Sequence, residues 1–380
     1  MKIGIYAPYL AVYGGGEKYI GKIAEILSRE NDVAFVVFTK PDFEKLGSRL
    51  NIDLSRVAID NIRSPASPLN SRIAILRTFI HLVNAHKVSK YTKECDLFIN
   101  QEYLSSIPSL AKTSFLICQI PPTRWNRLSR LTNNPFTNQI YDPKVKSYDK
   151  IIVYSFFTKK WAEKYYDREV EVMYPAVDTE SFVSSSKENI ILSVGRFGTA
   201  LHCKKQLDMV KAFKELCTQH ELINWEYHLV GGLGGSPTDH KYLADCRKEA
   251  KHYPIFFYVN APFEKVKELY GKAKFFWHAA GLGEDENEHP ERMEHFGMAT
   301  VEAMSAGCVP IVIKKGGQPE IVRDKIDGFL FETVEELNEC TLRLINDSAL
   351  WRKMSEACIR RSQEFSFEKF ERRVMEVFQF

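Results

Sequence analysis

The sequence has little that would suggest a metal, redox or membrane-spanning protein. Its eight cysteines are scattered singly, with no Cys-x-x-Cys pair. This spacing disfavours a zinc or thioredoxin-type site and indicates reduced thiols. No stretch approaches the roughly twenty apolar residues that a membrane span requires, and the N-terminus lacks the apolar segment of a signal peptide. We therefore expect a cytoplasmic protein.

Familiar nucleotide-binding loops are missing as well. Gly14-Gly15-Gly16-Glu17 follows the first predicted strand, but Tyr19 stands where the last glycine of Gly-x-Gly-x-x-Gly would be. No Walker-type Lys-Ser/Thr occurs. The acidic run at 284–288 contains no Asp-x-Asp and is interpreted as a solvated loop. A dinucleotide dehydrogenase is therefore disfavoured, and we expect no metal site.

The small net charge of +3 conceals an uneven distribution. Residues 61–160 hold 15 basic and 5 acidic side chains. A basic first half suggests an anionic acceptor or an anionic membrane surface, with a solvated basic surface as the alternative. Residues 71–90 have the pattern of a basic amphipathic helix that could lie on a membrane or face the core. The loop at 124–130 is a second candidate for such contacts. No motif indicates nucleic acid.

The order of apolar runs predicts an α/β protein with two similar halves. A strand at 2–7, a helix at 17–29 and a strand at 33–39 begin a parallel, Rossmann-like sheet. The same plan restarts with a strand at 189–194 and a helix at 206–219. We predict an N-terminal domain at 1–187, a C-terminal domain at 188–366 and a final helix at 367–380.

The densest group of candidate functional residues lies between two apolar runs, at 275–280 and 308–313. Glu294 precedes a predicted helix at 298–306, and Glu302 lies inside it. Gly297 would let a ligand approach the backbone, and the helix N-terminus favours phosphate. A carboxylate on each side can accept hydrogen bonds from sugar hydroxyls. This layout suits a nucleotide-sugar.

The run from Glu294 to Gly307, EHFGMATVEAMSAG, resembles the Glu-x7-Glu motif of glycosyltransferase family 4, also called glycosyl transferases group 1. The resemblance implies a GT-B fold: two Rossmann-like domains facing across a cleft, with a C-terminal helix crossing back to the first domain. It also implies a retaining, metal-independent hexosyltransferase. The similarity is strong over the second half and weak over the first.

The resemblance assigns roles residue by residue. Arg196 and Lys204 would hold the diphosphate, with Lys205 as the alternative lysine; Glu302 would hold the ribose and Glu294 the donor sugar. Around them the predicted nucleotide-sugar site includes the following residues: Gly15, Gly16, His295, Phe296, Gly297 and Met298. His278 flanks this predicted site, and a purely structural role at the end of a buried strand explains it equally well. Gly316-Gly317 resembles a glycine loop near the family's donor site.

The donor and acceptor are less well defined by the sequence. The local sequence Glu294-His295-Phe296-Gly297 resembles that of mannosyl- and rhamnosyltransferases acting on lipid-linked or surface glycans. This resemblance favours GDP-mannose over a UDP-linked donor. The acceptor would be a glycan or a lipid-linked saccharide at the inner face of the cytoplasmic membrane. Gln119 stands where many relatives have a histidine, and it cannot titrate near neutral pH. An inactive GT-B subunit that scaffolds an active partner therefore stays open, as does a GT-B epimerase or phosphorylase.

Overall fold

The chain folds into two compact units. The computed structural model describes residues 1–10, 14–63, 74–101, 107–120, 144–199, 203–220, 222 and 224–378, with the side chains at 49 and 74–79 left out. One unit comprises Met1–Tyr174 with Phe370–Phe380, and the other comprises Pro175–Lys369. Each unit is described by itself.

The first unit is built on a parallel sheet. Its strands are β1 (Lys2–Tyr6), β2 (Asp32–Val37), β3 (Ala58–Asn61), β4 (Leu97–Asn100), β5 (Thr113–Cys118), β6 (Lys150–Val153) and β7 (Glu171–Val172). Its helices are α1 (Gly15–Leu27), α2 (Phe43–Leu50), α3 (Ala74–Thr92) and α4 (Phe156–Tyr166). Across the sheet the order is β3-β2-β1-β4-β5-β6-β7. The order reverses between β1 and β4, which is the switch point of a Rossmann fold.

The second unit repeats this topology. Its strands are β8 (Glu188–Val194), β9 (Glu226–Gly231), β10 (Ile255–Val259), β11 (Ala273–His278), β12 (Val309–Ile313) and β13 (Phe329–Phe331). Its helices are α5 (Gln206–His220), α6 (Pro237–Glu249), α7 (Phe263–Lys272), α8 (Met298–Ser305), α9 (Gln318–Ile321), α10 (Val334–Asn346) and α11 (Ser348–Ser362). The sheet order is β10-β9-β8-β11-β12-β13, with its switch point between β8 and β11. The predicted pair of Rossmann-like halves is therefore confirmed.

The central strands are apolar along their whole length because helices cover both faces of a parallel sheet. All of β12 is buried, and Trp225 stacks on Phe275 of β11 with ring centroids 4.9 Å apart. Gly307 ends α8 with a φ of +76°, the left-handed conformation that glycine adopts readily after a helix. The strands are thus held in fixed register, and their carboxyl ends present loops at defined positions.

The last helix, α12 (Phe367–Phe378), returns the chain to the first unit. Phe370 packs edge-on against Tyr19 of α1, with centroids 5.4 Å apart, and Phe378 packs against Phe115 of β5 at 5.0 Å. Arg373 forms an ion pair with Glu171 at 2.5 Å. The apolar face of α12 therefore completes the core of the first unit.

The division between the units falls earlier than the predicted boundary at 187. Val177 donates its backbone N–H to Phe365 O at 3.0 Å. Lys187 Nζ donates to Ala306 O at 2.6 Å. These bonds bind the segment after Tyr174 to the second unit. Its polar composition alone made it look like a linker.

Candidate active site

The candidate site of the second unit lies at the carboxyl ends of β8 and β11, the neighbouring strands at the switch point. Gly195 and Arg196 follow β8 directly, and His278 is the last residue of β11. In open parallel sheets this crevice is the usual place for ligands. The topology therefore brings together the loop at 195–205 and the loop at 279–297, which are far apart in sequence.

Glu294 is the centre of the site. Lys204 Nζ and His278 Nε2 both donate to its Oε2, the latter at 2.8 Å. The Glu294 side chain is 17% exposed and that of Lys204 20% exposed, so the ion pair is largely desolvated. Burial acts to raise the pKa of Glu294, but the charge of Lys204 and the hydrogen bond from His278 outweigh it and hold that pKa well below its usual range. Glu294 is therefore a carboxylate at neutral pH.

The glycine loop at 316–317 supports the backbone that carries Glu294. Gly317 donates its N–H to Glu294 O at 2.7 Å. Gly316 has a φ of +63°, and a Cβ there would collide with the same carbonyl oxygen. Only glycine combines this conformation with such a close approach. The loop therefore fixes the position from which the Glu294 side chain extends.

Gly297 and helix α8 form the adjoining wall. Gly297 precedes the helix with a φ of +120°, and a Cβ on it would lie 2.5 Å from Gln318 Nε2. Met298 begins α8, and the first N–H groups of a helix have no partner within the helix itself. A bound phosphate would meet these donors and the positive end of the helix dipole.

Glu302 lies in α8 and is only partly buried. The hydroxyl of Tyr270 donates to Glu302 Oε2 at 3.0 Å. Burial, followed by the charge of Glu302, raises the pKa of Tyr270 well above its ordinary value, so the phenol keeps its proton. His295 and Phe296 are buried beside this helix, and Phe296 packs edge-on against Phe365 at 5.4 Å. Their predicted places in the nucleotide-sugar site stay predictions.

The cations of the 195–205 loop differ in their surroundings. The guanidinium of Arg196 is exposed and forms no ion pair with any residue that the structure describes. Its carbonyl accepts a hydrogen bond from Gln206 Nε2 at 3.1 Å. Lys205 has a φ of +56° and forms an ion pair with Glu284 at 2.7 Å. Lys204 and Lys205 thus diverge, and only Lys204 reaches Glu294.

The interpretation of residues 284–288 as a solvated loop is wrong for Glu284 and Glu286. Arg292 Nη1 donates to Glu284 at 2.6 Å, and Gly316 donates its N–H to Glu286 at 3.2 Å. Burial would raise the pKa of Glu284, but Lys205 and Arg292 lower it on balance. Glu284 and Glu286 therefore tie this loop to Lys205, Arg292 and Gly316, and we call these two glutamates the clasp. The sequence does not show that Lys205 and Arg292 lie beside Glu284 in the fold.

Within the first unit, the glycine turn begins α1 and packs against amide side chains. Gly14 donates its N–H to Glu17 Oε2 at 2.7 Å, which caps the helix. Gln101 Nε2, just past β4, donates to Gly16 O at 2.7 Å. A Cβ on Gly16 would collide with the amide of Gln119, just past β5. The roles predicted for Gly15 and Gly16 in binding a ligand stay predictions.

The family described as Glycosyl transferases group 1 matches residues 177–365, which contain the whole of the site around Glu294. The chain belongs to the group 1 glycosyl transferases.

Similar proteins extend this result over most of the chain. A GDP-Man:Man(3)GlcNAc(2)-PP-Dol α-1,2-mannosyltransferase of Dictyostelium discoideum is 23% identical over 89% of this chain and 76% of its own. An uncharacterised glycosyltransferase of Methanocaldococcus jannaschii is 24% identical over 96% and 93%.

Solved structures are similar in fold. Anabaena HepE in complex with UDP and glucose has a TM-score of 0.71 and 16% identity, over 99% of each chain. Sucrose-phosphate synthase of Thermosynechococcus elongatus has a TM-score of 0.73 and 16% identity, over 100% of this chain and 98% of its own. The predicted GT-B fold is confirmed.

Other predictions about this glycosyltransferase concern membranes and metals. The predicted amphipathic helix at 71–90 corresponds to α3, whereas its first residues and the loop at 124–130 lie outside the described residues. Among the described helices, none has the length and hydrophobicity needed to span a bilayer. In the described ranges, no three His, Cys, Asp or Glu side chains cluster as metal ligands would.

Several residues of the site were not singled out from the sequence. Tyr270 was not, because it lies in α7, far from the motif. Thr300 and Gln318 were not, because they read as an ordinary helix residue and a turn residue. All three are buried polar side chains. Only the folded unit shows that Tyr270 bonds Glu302 directly and that Gln318 contacts the histidine next to Glu294.

Proposed function

We propose that this glycosyltransferase is a retaining enzyme that transfers a hexose from a nucleoside-diphosphate sugar to a hydroxyl group of a glycan or lipid-linked saccharide, without a metal ion. Mannose from GDP-mannose is the favoured donor. Two relatives named as mannosyltransferases support this donor. One is the Dictyostelium protein described above, and the other is a yeast α-1,3/1,6-mannosyltransferase that is 24% identical over 66% of this chain. HepE, solved with UDP and glucose, keeps UDP-linked donors in the test.

The observation that carries the proposal is the environment of Glu294. Its Oε2 is held by Lys204 and His278, whereas Oε1 accepts no hydrogen bond from the residues that the structure describes. A buried carboxylate with one oxygen fixed and one available suits a ligand that donates a hydroxyl proton. Gly297 and the start of α8 lie next to it in the chain. We assign the donor sugar to Glu294 for this reason.

The diphosphate would be bound by cations and helix donors. Arg196 is exposed and without an ion pair among the described residues, so no ion pair with them has to break before it binds a phosphate. Lys204 already lies at Glu294 and can bridge the sugar and phosphate positions. Met298 and the following N–H groups of α8 supply further donors. Fixed positive charge at the leaving group stabilises the transition state and supports catalysis without a metal.

The ribose is assigned to Glu302. Its carboxylate lies on α8, and the hydroxyl of Tyr270 holds one oxygen in place. In the chain, Glu294 precedes the start of α8 and Glu302 lies within the helix. Lys205 is tied to Glu284 and would support the loop, with direct phosphate contact as the alternative role.

The reaction needs no protein base. The acceptor hydroxyl would attack the anomeric carbon on the face from which the nucleoside diphosphate departs, so the configuration is retained. The glycosidic C–O bond to the phosphate breaks, the bond to the acceptor oxygen forms, and the hydroxyl proton passes to the departing phosphate oxygen. Arg196 and Lys204 would stabilise the charge that develops there. The uncharged Gln119 is compatible with this scheme.

The acceptor and location are proposed from charge. The excess of basic residues at 61–160 supports an anionic acceptor, such as a lipid-linked saccharide used in polysaccharide assembly. The same charge supports peripheral contact with an anionic membrane at its cytoplasmic face.

The test is a binding and transfer panel. GDP, UDP, dTDP and ADP, with their sugars, are measured by calorimetry with and without EDTA. Binding of one nucleotide class that EDTA does not change, followed by transfer with retained anomeric configuration, supports the proposal. Absence of binding to all of them favours the inactive scaffold, and turnover of the donor without an acceptor favours an epimerase.

A further inference from the structure

A chain of hydrogen bonds between buried polar side chains ends at Glu294. Thr300 Oγ1 donates to Gln318 Oε1 at 2.9 Å. Gln318 Nε2 donates to His278 Nδ1 at 3.4 Å, and His278 Nε2 donates to Glu294 Oε2 at 2.8 Å. Thr300 and Gln318 have no exposed surface, and His278 is only 3% exposed. We call these three residues, Thr300, Gln318 and His278, the relay.

The direction of each hydrogen bond follows from the chemistry of the groups. An amide oxygen only accepts, so the hydroxyl of Thr300 must donate to Gln318 Oε1. The other end of the amide carries only hydrogens and faces His278 Nδ1. That nitrogen must therefore be unprotonated. In a neutral imidazole the single proton is then on Nε2, where it donates to Glu294.

A flipped amide would not work equally well. Gln318 Oε1 would then face His278 Nδ1 and require the proton there. The lone pair of Nε2 would point at the carboxylate of Glu294, which is repulsive. Burial lowers the pKa of His278, so the histidine does not readily escape this repulsion by taking a second proton.

Gly297 makes room for this arrangement. A Cβ at that position would lie 2.5 Å from Gln318 Nε2. The glycine of the Glu-x7-Glu segment therefore leaves space for the Gln318 amide, in addition to the close approach that it allows a ligand. The same backbone position thus links the relay to the proposed phosphate site.

We propose that His278, Gln318 and Thr300 are positioning residues: the relay fixes the Nε2–H tautomer of His278, which holds Glu294 Oε2 and leaves Oε1 for the donor sugar. The inference rests on the proposed function for its sugar-binding part. The tautomer itself is independent of any donor. It predicts that changes at the relay alter sugar transfer more than binding of a nucleoside diphosphate that carries no sugar.

The direct test is the tautomer. In the full-length protein labelled with ¹⁵N-histidine, long-range proton–nitrogen spectra distinguish the two neutral forms, and the His278→Gln variant identifies the signal. We expect Nε2–H between pH 7 and 8. In Gln318→Glu a carboxylate faces Nδ1, so the spectra should show a protonated Nδ1 and a higher pKa for His278. Nδ1–H in the wild-type protein, or no change in Gln318→Glu, would overturn the relay.

The functional test compares two buried threonines. Thr300→Val removes the hydroxyl that orients Gln318, and Thr300→Ser restores it. Thr341→Val is the matched control, since Thr341 is equally buried and accepts a hydrogen bond from Trp277 Nε1 at 3.2 Å, away from Glu294. For Gln318→Glu we expect kcat to fall about 10- to 100-fold, with a smaller fall for Thr300→Val that Thr300→Ser reverses. The Kd of the nucleoside diphosphate should stay within about threefold in each, the margin of a weak hydrogen bond.

The outcomes separate the two proposals. Equal loss of kcat in Thr300→Val and Thr341→Val would overturn positioning, because both would then act through general stability. An unchanged kcat in Gln318→Glu would overturn it as well. A wild-type protein with the Nε2–H tautomer that transfers no sugar would overturn the proposed function instead, together with the sugar-facing part of this inference.

Discussion

Near the switch point of the first sheet, two neighbouring strands are each followed by an amide side chain, whereas beside that of the second sheet the side chains are charged. Gln101 and Gln119 follow β4 and β5, and the nearby carboxylate of Glu17 is turned back onto the N–H of Gly14. In the second unit Arg196 follows β8, and the Lys204–Glu294 pair lies beside it. The strand order is the same around both switch points.

The topology sets where a ligand would bind, and the residues that follow each strand set which kind of ligand it would be. Neutral amides can donate to and accept from hydroxyl groups, as an acceptor requires. Fixed cations and a desolvated carboxylate suit a diphosphate and a sugar.

The charged site should fail most completely when Glu294 is removed. For Glu294→Ala we expect kcat with the nucleotide-sugar to fall about 100- to 1000-fold, because a fixed group that meets the reacting sugar is lost. Binding of the nucleoside diphosphate should weaken far less. Steady-state kinetics and calorimetry measure the two effects. Glu332→Ala, which removes the partner of Lys314 in an exposed ion pair, is the control. Equal losses of turnover and nucleotide affinity would remove the role assigned to Glu294.

The diphosphate contact should depend on Arg196. For Arg196→Ala we expect the Kd of the nucleoside diphosphate to rise about 10- to 100-fold, which is the usual weight of hydrogen bonds between charged groups. The melting temperature should not change, since the side chain is exposed and makes no ion pair among the described residues. Arg247→Ala, at an exposed position on α6, should leave both quantities unaltered. An equal rise in Kd for both variants would show only a general effect of charge.

The two glycine positions should respond differently to alanine. Gly297→Ala places a side chain at a φ of +120° and against Gln318, so the free energy of unfolding should fall by about 2–3 kcal/mol. A Cβ at Gly16 collides only with the amide of Gln119 and touches that of Gln101 at an ordinary 3.6 Å, and the backbone stays helical. For Gly16→Ala we therefore expect a loss of about 1 kcal/mol or less with a displaced Gln119. Urea unfolding measures both. A larger loss at Gly16 would contradict the contrast.

The smallest effect concerns pH. The pKa of His278 is lowered in the folded protein from 6.5, mainly by burial, so the unfolded chain binds this proton more readily. The contribution of His278 to the free energy of unfolding is therefore complete above pH 6.5. It declines as the pH falls through 6.5, the pKa of this histidine in the unfolded chain, by at most about 1.4 kcal/mol per pH unit. The wild-type protein should lose more stability than His278→Gln between pH 7 and 5.5. Parallel curves from urea unfolding would contradict this.

Much of the fold could be predicted because the strands of a parallel sheet are plain apolar runs. β1, β8 and β12 are of this kind, and the glycine at 307 marks a helix end. Helices α2 and α6 were not predicted, because their exposed faces dilute the apolar pattern. The strand β3 was missed for the same reason, since it lies at the sheet edge and is only partly buried.

The candidate site was predictable only where its residues are close in sequence. Glu294, Gly297 and Glu302 form one motif, and Arg196 and Lys204 another. Their meeting through the Lys204–Glu294 pair depends on β8 lying next to β11. A single sequence contains no record of that adjacency. The partners of the glutamates and the clasp at Glu284 could therefore not be found.

The position of α12 has a consequence for how the chain folds during synthesis. Most of the first unit, Met1–Tyr174, is synthesised before the second unit, yet its helix from Phe370 onward is synthesised after the second unit. Until then Tyr19 and Phe115 lack the aromatic partners that α12 provides. Domains usually fold in the order of their synthesis. Here the second unit can finish first, and the nascent first unit must wait with part of its core uncovered.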